Sequence, residues 1–421
     1  MTFLFITLAL LLPGKGIDQP PFFQVIRLNG QQLTGQLSLL KGETLFLSSG
    51  DRQFLKGHQG DLKFDDVLFI TASETSPNPE QILVGDRVHL ASPGEERRGS
   101  DFLVGRIVGG DPFGVDLLLH ESAVVHLPYE IMDRILPRAG DSIDRLEALD
   151  HGGFDDRVWQ RRSDGTLDSI TGVIDQVDGE TLALEGRVGS VTLSLDAVLA
   201  AVIAEPEGRP APTEGFPVTV RLRSGSLFAA GLLALADGEI TFATRFTERL
   251  VLPVESVSSL IRREKDTVLL ADLKPVEVEQ WPSIGDPEDF LFPWRRNLSV
   301  TGRDLSVGGI VRASGLGVHS TTRMVLALPP RASTLRVTVG LCDEVEGLPA
   351  QGSVRCTLSV DGEVVQGPVN LGPENKLVVF HTDRLKGASS IEILTDNGGD
   401  DDAGDRAAWV DGVILLESSG N

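Results

Sequence analysis

Residues 170–186, "ITGVIDQVDGETLALEG", decide the fold class of the chain. Apolar and polar residues alternate on both sides of the step Asp178-Gly179, and a period of two is typical of half-buried β-strands. An Asp-Gly step between two such runs predicts a tight hairpin turn, because Gly readily adopts positive φ. The stretch therefore predicts an antiparallel hairpin.

Related stretches occur at residues 33–49 ("LTGQLSLLKGETLFLSS") and 229–245 ("AAGLLALADGEITFATR"), and residues 103–119 ("LVGRIVGGDPFGVDLLL") keep the shape with a longer turn. In three of the four stretches a Gly precedes a Gly-Glu pair by seven positions. This repetition predicts four β repeats, at residues 22–72, 83–138, 157–205 and 216–264. We expect each to be a small, strongly bent sheet or barrel, similar to Sm-like and SH3-like barrels in strand pattern only.

The net charge of the chain limits the classes of partner that it can bind. Its 421 residues include 38 Lys and Arg against 61 Asp and Glu, a formal net charge of -23. Nucleic acids and anionic membranes are bound by basic patches, so neither is expected as a general partner. The acidic balance leaves room for cation binding.

The first 16 residues contain an apolar run of about eleven, which is too short to span a bilayer. The run resembles the apolar segment of a secretory signal, with Gly14 and Gly16 near a possible cleavage point. No Lys or Arg precedes it, so a mis-assigned start and a short anchor are the alternatives. We expect a signal peptide at residues 1–16, no other membrane-crossing segment, and a secreted, periplasmic or cell-surface protein.

The C-terminal part of the chain has a different strand pattern. Residues 265–289 are predicted to be a linker, with a connecting strand and a hinge that begins at Trp281. Beyond it, alternating runs separated by turn residues predict an antiparallel β-sandwich over residues 290–418. The runs are 324–328, 335–341, 354–360, 377–380, 391–394 and 409–416. The fold class predicted for the whole chain is therefore all-β.

Three blocks of this C-terminal part carry a family resemblance. They read "GLGVHSTTRMVLALPP", "LRVTVGLCDEVEGLPAQGSVRCTLSVDGEVV" and "LKGASSIEILTDNGGDDDAGDRAAWVDGVIL". In order and spacing they resemble the NPCBM family of carbohydrate-binding modules, over about residues 290–418. The resemblance implies a galactose-binding-like jelly roll that is usually secreted. More weakly, it implies binding of galactose-type sugars and a structural calcium ion.

Two departures from the family pattern put a typical sugar or metal contact in question. Cys342 stands where the family has the first Asp of "GLDDE". The closing motif, usually Asp-His-Ala-Asp-Trp, here has Arg406 in place of His and Ala408 in place of the second Asp.

A sugar site needs hydrogen-bonding side chains and a flat apolar face. The candidates are His319, Arg323, Asp343, Glu344, Asp405, Arg406 and Trp409. Trp409 could stack on a sugar ring or start the last strand in the core, where alternation puts Asp411 and Val413 on its face. His319 could contact a ligand or bond the local backbone.

The acidic stretch that begins at Asp396 is the candidate metal site. Its spacing fails the EF-hand pattern, which requires an acid or amide where Gly398 stands. Calcium could still be held by Asp396, Asp400, Asp402 and Asp405 with backbone carbonyls. The alternative is a solvated Gly/Asp turn.

Catalytic motifs are missing from the sequence, and the seven His residues are scattered. We therefore expect a protein that is not an enzyme. Cys342 and Cys356 could form a disulfide if their strands are neighbours, or remain buried free thiols. The predicted function is an exported carbohydrate-binding protein whose jelly roll binds glycan. The alternative is a structural or protein-interaction component of the cell envelope with a degenerate sugar site.

Overall fold

The computed structural model describes most of the chain from Phe22 to Glu417 and shows that it is all-β, as predicted. The described residues are 22–27, 32–41, 44–48, 62–63, 67–72, 85–91, 98–120, 123–138, 155–162, 165–187, 189–204, 206–210, 212–263, 266–281, 292–312, 314–345, 352–399 and 402–417. The predicted signal peptide at residues 1–16 lies outside these residues. Within them, no helix has the length and apolar character needed to cross a membrane.

The described residues of the N-terminal region form twenty strands in four segments of five. The first segment has β1 (Phe22–Arg27), β2 (Gln32–Lys41), β3 (Thr44–Ser48), β4 (Leu62–Lys63) and β5 (Val67–Ala72); the second has β6 (Asp86–Ala91), β7 (Arg98–Asp111), β8 (Gly114–His120), β9 (Ala123–Pro128) and β10 (Met132–Leu136). The third has β11 (Asp156–Arg161), β12 (Leu167–Val177), β13 (Thr181–Gly186), β14 (Gly189–Ser194) and β15 (Val198–Val202); the fourth has β16 (Phe216–Leu222), β17 (Leu227–Ala236), β18 (Glu239–Thr244), β19 (Leu250–Pro253) and β20 (Val257–Arg262).

Every segment has the same antiparallel pairing. Its first four strands pair in succession, and its last strand returns to pair with its first. The second strand bends at a β-bulge in all four segments. In two of these strands the repeated Gly stands where the backbone is crowded: a Cβ at Gly172 would lie 2.5 Å from the Glu185 carbonyl oxygen, and one at Gly231 1.7 Å from that of Glu214. The repeated Gly thus permits the bend.

The tight turns close in two ways. Asp237 and Gly238 both have positive φ, 54° and 79°, as in a two-residue hairpin turn. The turn at Asp178 differs from the prediction, because its carboxylate accepts hydrogen bonds from the Glu180 and Thr181 amides at 2.8 and 2.6 Å. An Asx turn over three residues, without positive φ at Gly179, closes this hairpin.

The segments join through the edges of their last strands. β10 of the second segment pairs with β15 of the third, and β20 of the fourth pairs with β5 of the first. Single residue pairs also connect β17 with β2 and with β7. One apolar core therefore runs through all four segments.

The C-terminal region is a two-sheet β-sandwich. Its strands are β21 (Thr267–Leu269), β22 (Pro275–Gln280), β23 (Arg295–Arg296), β24 (Ser306–Val307), β25 (Ile310–Val311), β26 (Gly315–His319), β27 (Thr322–Ala327), β28 (Ala332–Leu341), β29 (Val354–Val360), β30 (Glu363–Leu371), β31 (Leu377–Thr382), β32 (Ser390–Asp396) and β33 (Arg406–Leu416). One sheet has the order β23-β26-β33-β28-β31, with β21 also paired to β33. The other has the order β22-β27-β32-β29-β30, and β24 and β25 form a separate hairpin.

Four single-turn 3-10 helices complete the regular structure of the described residues. They are Tyr129–Ile131 and Val254–Ser256 before β10 and β20, Leu270–Asp272 after β21, and Asp343–Val345 after β28.

The predicted linker at residues 265–289 is wrong for its first part. Strands β21 and β22 pair with β33 and β27, so residues 267–280 belong to the sandwich. The sequence predicted a connecting strand here but not its place in the sandwich, because β21 is only three residues long and β22 has no buried residue. The proposed hinge after Trp281 lies outside the described residues.

Alternation along the last strand is also interrupted. Val410 pairs with Thr338 and Val413 with Arg336, so β33 has a bulge in which Asp411 takes a φ of 51°. Asp411 is buried in an ion pair with Arg312, 2.9 Å between Oδ2 and Nη1. The predicted shared face of Trp409, Asp411 and Val413 is therefore wrong.

The two Cys residues are free thiols, and the disulfide alternative is wrong for this structure. Cys342 directly follows β28 of one sheet, and Cys356 lies in β29 of the other sheet. Both side chains are buried. Burial raises the pKa of both thiols, that of Cys356 to about 12, so neither is a reactive thiolate at neutral pH.

Candidate functional site

The ends of three strands meet at one edge of the sandwich. His319, the last residue of β26, pairs directly with Arg406, the first residue of β33. The Cys342 amide donates to the Arg406 carbonyl oxygen at 2.8 Å, which places the following 3-10 turn with Glu344 beside the same strand ends. Strand ends combine a fixed backbone with side chains that can face solvent, an arrangement suited to a binding site.

His319 is 95% buried. Burial lowers the pKa of its imidazole; the nearby Arg406 lowers it further, while the Ser320 hydrogen bond and Asp402 oppose the shift. Its Nδ1 lies 2.8 Å from the Ser320 carbonyl oxygen, which can only accept, so Nδ1 carries the proton. The local backbone bond expected for this residue is therefore present.

Phe292 supplies an aromatic ring beside these polar groups. It stacks on His319 with ring centroids 4.9 Å apart, and the Arg406 guanidinium carbon lies 5.2 Å from its centroid. The Phe292 residue is half-buried. Cation–π contact and ring stacking together fix the position of the Arg406 side chain. We call Phe292, His319, Glu344 and Arg406 the His319 cluster.

Glu344 and Arg406 are incompletely bonded within the described residues. Ser299 Oγ and Thr301 Oγ1 both approach Glu344 Oε2, at 3.1 and 2.6 Å. Glu344 Oε1 is 3.8 Å from Arg406 Nη1, beyond hydrogen-bond distance. That oxygen and Arg406 Nε are both buried without a hydrogen-bond partner there. The cluster thus holds one acceptor and one donor next to an aromatic ring.

Two other predicted candidates hold loops in place. Asp343 accepts from Ser306 Oγ at 2.5 Å and from the Gly308 and Gly309 amides at 2.9 and 2.8 Å. Asp405 is fully buried and accepts from Ser320 Oγ at 2.6 Å and from the Ser353 amide at 2.8 Å. Both carboxylates face backbone and hydroxyl donors of the protein itself, so we assign them to the scaffold of the site.

Trp409 and Arg323 lie elsewhere. Trp409 is fully buried in the sandwich core, its Nε1 donates to Thr395 Oγ1 at 2.9 Å, and its ring meets Phe380 edge-on. A role as a stacking platform for sugar is therefore wrong. Arg323 projects from β27 of the other sheet and forms ion pairs with Glu277, Glu279 and Glu392, which raise its pKa.

Two of the predicted calcium ligands, Asp396 and Asp402, lie within the described residues. Asp396 accepts from Arg355 Nε and from the Gly398 amide, both at 3.0 Å, so a cation already faces it. Asp402 is close enough to His319 to raise its pKa, and Asp400 lies outside the described residues. No group of three or more potential ligands occurs in the described part of the chain.

Sequence reasoning missed two aromatic residues at this edge. Phe292 lies just inside the predicted sandwich but outside its alternating runs, and Trp281 was placed in the linker. Trp281 is 39% exposed, and backbone hydrogen bonds of 3.1 Å in both directions join it to Thr321, two residues after His319. The available signal was an aromatic-rich stretch ("FLFPW") in a chain with few aromatic residues.

The sandwich and the cluster at its edge can be compared with known protein families. Residues 267–414 match the family model of the NPCBM/NEW2 domain. The resemblance predicted from the sequence is confirmed, with a start about twenty residues earlier than predicted. No curated protein matches the chain.

Several solved structures are similar to the chain. A CBM51 module of Clostridium perfringens GH95, in complex with methyl-galactose, shares 17% identity over 35% of this chain and 99% of its own, with a TM-score of 0.31. The structure of CBM51-2 in complex with GlcNAc and INT domains of C. perfringens ZmpB shares 16% identity over 45% of this chain and 44% of its own, with a TM-score of 0.32. The tandem CBM51 modules of Streptococcus pneumoniae Sp3GH98 share 10% identity over 62% of this chain and 88% of their own, with a TM-score of 0.31.

Proposed function

We propose that the chain is an exported, non-catalytic protein whose C-terminal sandwich binds a glycan at the His319 cluster. The observation that carries this proposal is that two buried atoms, Glu344 Oε1 and Arg406 Nε, have no hydrogen-bond partner among the described residues, while the Arg406 guanidinium lies over the Phe292 ring. Buried polar atoms nearly always have a partner, and a ligand or water can provide one. The NPCBM/NEW2 match favours a sugar as that ligand.

The chemistry of the pair suits hydroxyl groups. A sugar hydroxyl can donate to Glu344 Oε1 and a neighbouring one can accept from Arg406 Nε, because hydroxyls do both. Phe292, and the more exposed Trp281, offer apolar ring surface for the C–H face of a sugar.

The experiment begins with a glycan array probed by the full chain, with and without added calcium. Methyl galactoside and N-acetylglucosamine, the sugars named for two similar structures, are then titrated by calorimetry. We expect Glu344→Gln and Arg406→Met to weaken binding about tenfold, because each removes a charged hydrogen-bond partner.

The matched control is Arg323→Met, which removes an arginine from the other sheet and should leave affinity unchanged. If the folded chain binds no sugar with or without calcium, the proposal fails, and a structural or protein-interaction role in the cell envelope becomes the better account. If Arg323→Met weakens binding as much as Arg406→Met, the His319 cluster is not the sugar-binding site.

Export and the absence of catalysis are parts of the proposal with their own tests. The apolar run in residues 1–16 supports export, and N-terminal sequencing of the protein produced by its host would show whether the run is removed. The lack of catalytic motifs in the sequence supports binding without turnover. Glycosidase or esterase activity of the full chain toward a generic substrate panel would contradict it.

A further inference from the structure

A short loop, residues 297–304, lies between the fourth N-terminal segment and the His319 cluster. Its base is closed by an isolated antiparallel bridge between Leu298 and Asp304. The Ser299 amide donates to the Arg303 carbonyl at 2.8 Å, and the Gly302 amide donates to the Ser299 carbonyl at 2.9 Å. The loop is therefore a compact hairpin whose tip and base are coupled by its backbone.

The tip of the loop holds Glu344. Ser299 and Thr301 supply the two hydroxyls at Glu344 Oε2. With Oε2 engaged, Oε1 is the oxygen that faces Arg406 and lacks a hydrogen-bond partner in the described residues. The position of the tip therefore decides which way the Glu344 carboxylate is turned.

The base of the loop is held by an arginine from outside the sandwich. Arg221, in β16, donates from Nη1 to Asp304 Oδ1 at 2.7 Å and from Nη2 to the Asn297 carbonyl at 2.8 Å. Its side chain is only 4% exposed. The rigid, planar guanidinium spans both ends of the loop at once, which a single-point ammonium could not do.

We propose that Arg221 is a positioning residue for the sugar site: it clamps the base of the loop so that Ser299 and Thr301 hold Glu344 in its binding orientation. The effect of Arg221 on sugar affinity rests on the proposed function, whereas the contacts of Arg221 with the loop do not. It means that the N-terminal region does more than carry the sandwich, because one of its side chains completes the site.

The chain offers a matched control. Arg263, next to β20, forms an ion pair with Asp272 in the 3-10 turn after β21. This pair also joins the fourth segment to the sandwich, and among the described residues it has no hydrogen bond to the loop. Arg221→Met and Arg263→Met therefore each remove one arginine link between the same two regions, and only the first releases the loop. Asp304→Asn, which keeps the side-chain shape, is a second variant in case Arg221→Met folds poorly.

The first measurement is hydrogen exchange of the loop amides in the full chain, which requires no sugar. We expect the Ser299, Gly302 and Arg303 amides to exchange about tenfold faster in Arg221→Met and unchanged in Arg263→Met. Unchanged exchange in Arg221→Met and Asp304→Asn would overturn the inference, whether or not the wild type binds sugar.

The second measurement is a double-mutant cycle on methyl galactoside affinity. Arg221→Met should weaken binding about fivefold in the wild type and have little further effect in the Glu344→Gln background, because it acts through that carboxylate. An equal loss in both backgrounds would show general destabilisation and overturn the inference. If wild type binds neither this probe nor any array glycan, the proposed function fails, and the exchange result alone decides the clamp.

Discussion

The two regions of the molecule use antiparallel strands in different ways. In the N-terminal region, small bent sheets join edge to edge, as β10 joins β15 and β20 joins β5. In the C-terminal region, two sheets stack face to face around Trp409 and Phe380. Edge joining shares backbone hydrogen bonds between segments, whereas stacking leaves the strand ends and their loops open at the rim.

That difference explains where the candidate site lies. The last strands of the N-terminal segments pair with one another, and this pairing satisfies the backbone groups at their edges. The rim of the sandwich instead collects His319, Glu344 and Arg406 from three separate strand ends. A ligand site requires convergent side chains at an open rim, and the sandwich provides this more readily than the joined sheets.

The largest expected effect tests whether the two regions are energetically separate. Trp409→Ala should destabilise the sandwich by about 4 kcal/mol, because it leaves a large cavity and removes the contact with Phe380. The N-terminal strands should keep their protection, since their core cluster contains none of the sandwich residues. Hydrogen exchange resolved by peptide measures both regions in one sample.

Trp409→Phe is the control for this change, because it keeps an aromatic ring at the same place. Equal loss of protection in β10 and β20 would show that the two regions unfold as one unit and would remove the distinction between them.

The sequence predicted the parts of this architecture that depend on local chemistry. Alternation around Asp237-Gly238 and Asp361-Gly362 predicts hairpins, and both steps adopt positive φ. The sequence could not predict the joining of β10 to β15, because strand-edge pairing depends on contacts between distant residues. The bulge at Asp411 was missed for a similar reason, since it is stabilised by Arg312, about a hundred residues away in sequence.

The candidate site was predictable in part. The resemblance placed His319, Glu344 and Arg406 among its residues, and the structure brings these three together. It could not exclude Trp409, because an aromatic residue after an acidic loop suits a core and a binding face equally well. Nor could it find Phe292 or Arg221, whose contacts with the site region are long-range and follow no periodic pattern.

The second prediction concerns the bend of the N-terminal sheets. Gly231→Ala should lower the free energy of unfolding by about 2 kcal/mol, because the new Cβ would overlap the Glu214 carbonyl and force the backbone apart. Gly362→Ala in the sandwich is the matched comparison: nothing lies within 4 Å of its Cβ, so only the cost of positive φ remains, about 1 kcal/mol. Urea unfolding of both variants measures the difference, and equal losses would mean that crowding does not set the bend.

The last prediction contrasts two histidines, one in each region. Burial, together with Arg87 and Arg134, lowers the pKa of His89 to about 3, and burial also lowers the pKa of His319. A lowered folded-state pKa means that the unfolded chain binds the proton more readily below its ordinary value near 6.5. The stability that neutral His89 contributes is therefore complete above that pH and is lost as the pH falls toward the folded value. Within this window the loss is about 1.4 kcal/mol per pH unit.

His89→Leu should flatten the pH dependence of exchange protection in β6 and β10 by that slope, while His319→Leu should leave those strands unaffected. An unchanged slope in His89→Leu would place the acid sensitivity of the N-terminal region on other groups.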